Sequence, residues 1–221
     1  MSIPPASGKP DRRAARHEAK KQSIVTQAWV LAERDGLGAI SMRDLAERVD
    51  LRQPSLYAYF DSKLALYDAM FADANLQLLA AVRQLPELGN PRAALVQFVE
   101  TCVRFSSRNT VRHQLMFDRT IPGFEPSEQA FRPALEFYQI AVLRLGAAGA
   151  VRQEDMDVFS SLVSGLSQQV ANDPGDDRWV AHAPRVVDML LADIDRRRGD
   201  DRLGRSATQP ASIQQLSITD S

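Results

Sequence analysis

Between Ser41 and Phe60 the chain reads SMRDLAERVDLRQPSLYAYF, two helical stretches parted by little more than Asp50 and Leu51. Two short helices that cross at so tight a turn must share a core with a third element, because neither can bury its apolar side alone. The third element lies upstream. Residues 16–35 carry Ile24, Ala28, Leu31 and Ala32 on one stripe and stop at Gly36 and Gly38, residues that tolerate a left-handed cap. Ser41 is placed to cap the second helix, which runs to Val49, with Asp44 at its third position. Leu45, Ala46 and Val49 then meet Leu56 and Phe60, one turn apart on a third helix expected over 53–59. With those two turned inward, Gln53, Ser55, Tyr57, Ala58 and Tyr59 are left on its other sides.

That outer surface is rich in groups that hydrogen-bond. Pro54 sets the first turn and removes an amide that would have no helical partner. Gln53 can pair with adenine, Arg52 and Arg43 with guanine or a phosphate, and the methylenes of Pro54 and Ala58 can meet a thymine methyl. Ser55, Tyr57, Tyr59 and Lys63 have the reach for phosphate oxygens, as does Ser41 from the second helix. Charge is divided in the same sense. Residues 1–65 hold eleven Lys/Arg against eight Asp/Glu, so a formal charge of −1 overall leaves −4 on the remainder. Plain packing of two helices produces the same spacing, so the motif admits both readings at this point.

Nearly every other segment has helical periodicity, and β-branched runs bounded by turn residues are scarce. The expected class is all-α with about nine helices. A fourth, beginning at Asp61 or Ser62 and ending before Pro86, is long enough to join the N-terminal unit to the rest of the chain. Others are expected at 91–107, 109–117, 127–147, 153–171 and 177–197, the last bent or restarted by Pro184. A flexible basic arm is expected over 1–14 and a disordered tail over 201–221. The single cysteine, Cys102, can close no disulfide within the chain. No apolar run has the length of a membrane span or of a secretion signal, so a cytoplasmic protein without membrane contact is expected. His17, His113 and His182 stand far apart and outside any metal-binding or catalytic spacing. No enzyme activity, metal or cofactor is expected.

SMRDLAERVDLRQPSLYAYFDSKLALYDAM resembles the N-terminal domain of TetR-family transcriptional regulators, in which a Leu-Tyr-x-(Tyr/His)-(Phe/Val) run on the recognition helix is followed by a lysine opening a long fourth helix. Leu56, Tyr57, Tyr59, Phe60 and Lys63 match it, and the likeness covers about residues 16–70. The resemblance implies a three-helix DNA-binding domain with a helix-turn-helix over 15–65 and a helical effector-binding and dimerisation domain over 66–200. It places Tyr57, Tyr59 and Lys63 on phosphates, and Arg43, Arg52, Gln53 and Ser55 at the operator, beside Ser41 and Pro54 from the reading above. Arg12, Arg13, Arg16, Lys20 and Lys21 are candidates for an arm reaching DNA. Phe98, Cys102, Phe105, His113, Met116, Phe117, Phe137 and Gln168 are the candidate pocket for an unknown small molecule, with Phe131 and Phe159 in the same aromatic series. The helices at 153–171 and 177–197 are the expected homodimer surface, through the apolar stripes Met156, Phe159, Leu162, Val163 and Leu166 and Val186, Val187, Met189, Leu190 and Ile194, where Ser161, Ser164 and Gly165 permit close approach. The implied function is repression at a double-stranded, palindromic operator, relieved by the ligand; a ligand-responsive activator and a helical interaction protein without DNA binding are the alternatives.

Overall fold

The computed structural model describes residues 12–118, 120–150, 152–173, 175–176 and 178–206, with side chains described through 199. The expected arm and tail therefore lie largely outside the described residues. Residues 12–14 already belong to a helix, and the last helix continues to Ser206, past the expected start of the tail at 201.

The described residues are helical with no strand. The elements are α1 (Arg12–Asp35), a 3-10 turn (Leu37–Ala39), α2 (Met42–Arg48), α3 (Gln53–Tyr57), α4 (Lys63–Arg83), α5 (Pro91–Arg108), α6 (Thr110–Phe117), α7 (Glu128–Ala147), α8 (Gln153–Asn172), α9 (Arg178–Ala181) and α10 (Ala183–Ser206). The segment expected as one helix over 177–197 is two. Pro184 has no amide for the Val180 carbonyl, so the helix breaks at His182 and restarts with proline in its first turn. Starts are set by side chains that take up orphaned amides: Ser41, Ser62, Asn90 and Ser127 each accept a backbone N–H of the helix they precede.

Two hydrophobic clusters fill the molecule, and α4 belongs to both. Its Leu66, Tyr67, Met70, Phe71 and Ala74 pack with α1 to α3, joined by Leu115 of α6 and Ala130 of α7. Its Leu78, Leu79 and Val82 pack instead with α5, α7, α8, α9 and α10 around Phe98 and Phe159. The expected boundary at residue 65 falls at the third residue of α4, whereas the change of core comes between Ala74 and Leu78. Polar bolts reinforce the join. Asp73 accepts the Trp29 indole N–H and the Gln22 amide, both at 2.8 Å, and Asp68 accepts the Ser127 N–H and hydroxyl, both at 2.7 Å.

Buried Tyr67 spans the first core and donates its hydroxyl to the Leu37 carbonyl in the turn after α1. Burial also pushes its phenol above the ordinary tyrosine range, so it remains a donor at neutral pH. Replacing Tyr67 with Phe removes this hydrogen bond and leaves the Leu37 carbonyl only the Ile40 N–H at 3.4 Å, and urea denaturation at neutral pH is expected to show a loss of about 0.5–1.5 kcal/mol.

Candidate nucleic-acid interface and ligand cavity

The turn between α2 and α3 is a Schellman closure. Leu51 N–H donates to the Ala46 carbonyl at 2.9 Å and Asp50 N–H to Glu47 at 3.3 Å, while Asp50 adopts φ 54°. Asp and Asn carry that left-handed geometry at lower cost than most residues, so the join needs no glycine. Lys20 of α1 completes the turn by donating to the Val49 carbonyl at 2.7 Å, where the end of α2 attracts a cation. Lys20 is thus part of the scaffold rather than of an arm, and Lys21 lies over the Phe60 ring at 5.4 Å. Arg12, Arg13 and Arg16 remain exposed on the first turns of α1.

This closure orients α3. Leu56 and Phe60 are buried, and Arg52, Gln53, Pro54, Ser55 and Tyr57 stand exposed together. Arg43 on α2 is also exposed and pairs with Glu47 at 3.2 Å. The three remaining expected contacts are engaged within the protein. Ser41 accepts the Asp44 amide, leaving its hydroxyl proton available, and Lys63 donates to the Gly38 carbonyl at 2.9 Å. Tyr59 departs most from expectation. The helix ends at Tyr57 instead of 59, so Tyr59 sits in the turn beyond it, half-buried and stacked on His17 at 4.7 Å. Sequence reasoning missed both Lys20 and His17, because each acts across the fold from one helix to a distant turn.

In the second core a cavity of about 510 Å³ opens between α5, α6, α7 and α8, with Leu78 of α4 at one wall. Phe98, Cys102, His113, Phe117, Phe137 and Gln168 line it, six of the residues expected there. Phe105 and Met116 do not. Phe105 is about 100° around α5 from Ser106, which takes the lining position on the Phe98-Cys102-Ser106 ridge. Met116 packs between the two cores. Phe131 stacks on Phe71 at 6.0 Å, away from the cavity, whereas Phe159 lines it. Ser106, Asp118, Tyr138 and, on α8, Met156, Ser160 and Val163 were not anticipated as lining; the i, i+4 step from Cys102 to Ser106 was the available signal.

His113 is buried and held at both nitrogens, with Ser106 Oγ 3.0 Å from Nδ1 and Gln168 Oε1 3.3 Å from Nε2. Its neighbour Arg112 points the other way. The guanidinium lies 4.5 Å from the Trp29 ring centre and donates to Glu33 at 2.9 Å, so consecutive residues of α6 touch the cavity and α1.

The stripes expected at a dimer surface divide differently. Met156, Phe159, Leu166, Val187, Leu190 and Ile194 face the chain's own core. The outward faces of these helices carry Val158 and Ser161 on α8 and Met189 and Ala192 on α10, while Ser164 and Gly165, also exposed, stand at the rim of the cavity. No described helix is long and apolar enough to cross a membrane, and the described residues contain no cluster of potential metal ligands.

Burial pushes the Cys102 thiol up to about 12, which keeps it protonated through the physiological range. A colorimetric disulfide reagent at pH 8 is expected to label Cys102 only after denaturation; labelling of the native chain at the rate of a free thiol would contradict this burial.

Residues 24–70, which hold the helix-turn-helix, match the family model for bacterial regulatory proteins of the tetR family. The HTH-type transcriptional activator FasR of Mycolicibacterium smegmatis is 31% identical over 116 residues, 52% of each chain, so the match spans about half the length of that relative. A tetR-family transcriptional regulator from Streptomyces coelicolor shares the fold with a TM-score of 0.61 at 18% identity, over 87% of this chain and 99% of that one. A single-substitution TetR variant from Acinetobacter baumannii AYE, solved in complex with minocycline, superposes with a TM-score of 0.56 at 24% identity, over 80% and 97%. Residues 24–70 thus match the tetR-family DNA-binding segment, and the chain shares its helical architecture with solved proteins of that type.

Proposed function

We propose that the chain regulates transcription by binding a double-stranded operator as a homodimer and is released when a small molecule fills the cavity of its second core. The observation that carries this is the outer face of α3. Leu56 and Phe60 are buried while Arg52, Gln53, Ser55 and Tyr57 stand exposed side by side, an arrangement that serves no packing purpose and suits a major groove. In this reading Arg43, Arg52 and Gln53 read base edges, Pro54 makes apolar contact, and Ser41, Ser55, Tyr57, Tyr59 and Lys63 position the phosphates. Lys63 acts through the Gly38 turn it already holds, and His17 orients Tyr59.

Selection from a pool of genomic fragments at moderate salt is expected to enrich a palindromic site. Arg52→Ala and Gln53→Ala should each cost about 1–3 kcal/mol at the preferred base and relax the preference there. Affinity should also fall steeply as salt rises, since several phosphates are neutralised. Failure to enrich any fragment would sink the reading.

The dimer is assigned to the outward faces of α8 and α10, where small residues let helices approach and Met189 is 59% exposed. A two-fold axis there supplies the paired recognition helices a palindrome needs. Met189→Arg is expected to shift the chain toward monomer in analytical ultracentrifugation and to weaken operator binding with α3 unchanged.

Ligand binding reaches DNA through α6 and α4. A ligand that moves His113 also moves Arg112, which holds Trp29 and Glu33 of α1, while Leu78 connects the cavity wall to the same α4 that carries Asp73. Displacing the DNA-bound state from 99% to 1% requires a preference of about 5.5 kcal/mol for the released one. The working assignment is repression by occupancy. One relative is named as an activator, and a reporter behind the selected site separates the two: expression that rises when the regulator is deleted marks a repressor.

A further inference from the structure

Resting on the reading of this cavity as the effector site, we infer that its ligand is a lipophilic organic cation. The walls are aromatic. Phe98 lies between Phe137, 5.3 Å away and stacked, and Phe159, 6.1 Å away and tilted, while Phe117 at the mouth leans on His113 at 5.0 Å. Ring faces carry negative potential and attract a cation that has shed water.

The polar end of the cavity has the same sign. Asp118, at the end of α6, places Oδ1 4.0 Å from His113 Nε2, with its side chain 25% exposed. Among the described lining residues there is no lysine or arginine. Arg144 lies 5.9 Å from the Phe98 ring centre but belongs to the wall behind it, donating to the Ala94 carbonyl. The Ser106 hydroxyl donates to the Cys102 carbonyl at 3.2 Å and its oxygen lies 3.0 Å from His113 Nδ1, while Gln168 Oε1 lies 3.3 Å from Nε2. The Gln168 amide nitrogen is turned away toward Asn172 at 3.3 Å, which keeps its oxygen on the histidine. A carboxylate ligand entering here would meet Asp118 with no lysine or arginine among the described lining residues to receive it. An ammonium would meet a carboxylate and ring faces.

A matched series separates charge from shape: trimethyl(4-phenylbutyl)ammonium, 4-phenylbutan-1-ol and 4-phenylbutanoate, titrated calorimetrically into the full chain. The ammonium is expected to bind about tenfold or more tighter than the alcohol, and the carboxylate weakest. Asp118→Asn should bring the ammonium down to the affinity of the alcohol and leave the alcohol unchanged, while Asp118→Glu should keep the preference. Circular dichroism confirms that each variant is folded. A carboxylate that binds as tightly as the ammonium overturns the cation assignment, and a preference undiminished by Asp118→Asn overturns the part given to Asp118. Ser160→Trp, which blocks the cavity from its exposed rim, tests the underlying reading. Alcohol binding that Ser160→Trp abolishes, but with no preference for charge, upholds the cavity and overturns the ligand class. Alcohol binding that survives Ser160→Trp, or no binding by any of the three, overturns both.

Discussion

Everything in this protein depends on one helix being buried twice. The backbone hydrogen bonds of α4 run unbroken from Lys63 to Arg83, so the helix behaves as a stiff rod. Its first half is sealed by α1 to α3 and its second by α5 to α10. A change in packing around Leu78 therefore cannot be absorbed in a flexible joint; it must tilt the surface against which the recognition helix rests. Asp73 makes the connection more rigid, since its carboxylate holds α1 through Trp29 and Gln22.

The second connection is α6, eight residues long, with its two faces committed to opposite tasks. His113 looks into the cavity, and Arg112 covers Trp29 on the far side. Adjacent side chains on a helix diverge by about 100°, so one turn serves both domains without a chain of intermediate contacts. Leu115 adds an apolar anchor in the first core. The distance between the cavity and the α3 surface is thus bridged by two helices, one long and one short, rather than by a network spread through the interior.

Much of this was legible in the residues. The all-α class, the helix-turn-helix and the inward turn of Leu56 and Phe60 stem from local rules: apolar spacing of three and four, serine caps, glycine at a helix end, proline in a first turn. Six cavity residues were also legible, because Phe98 and Cys102 repeat one turn apart and His113 and Phe117 do the same. What escaped was anything settled between distant segments. Phe105 looks equivalent to Cys102 in a helical projection, yet the position of α8 decides which flank of α5 faces the cavity. Met156 and Phe159 look like an outer stripe, yet α5 covers them. Lys20 reads as one more basic residue until Val49 is found beside it.

The order of residues alone was thus enough to settle what each short stretch prefers: helix or turn, capped or extended, apolar on one side and polar on the other. Those preferences arise within about four residues, where backbone hydrogen bonds and neighbouring side chains act. Packing settled the rest, namely that Tyr59 leans on His17, that α8 and α10 turn Val158 and Met189 outward, and that Asp118 closes an aromatic cavity with no lysine or arginine among the described lining residues. Such outcomes depend on which helices meet and at what rotation, and that is decided by burying all the apolar faces at once.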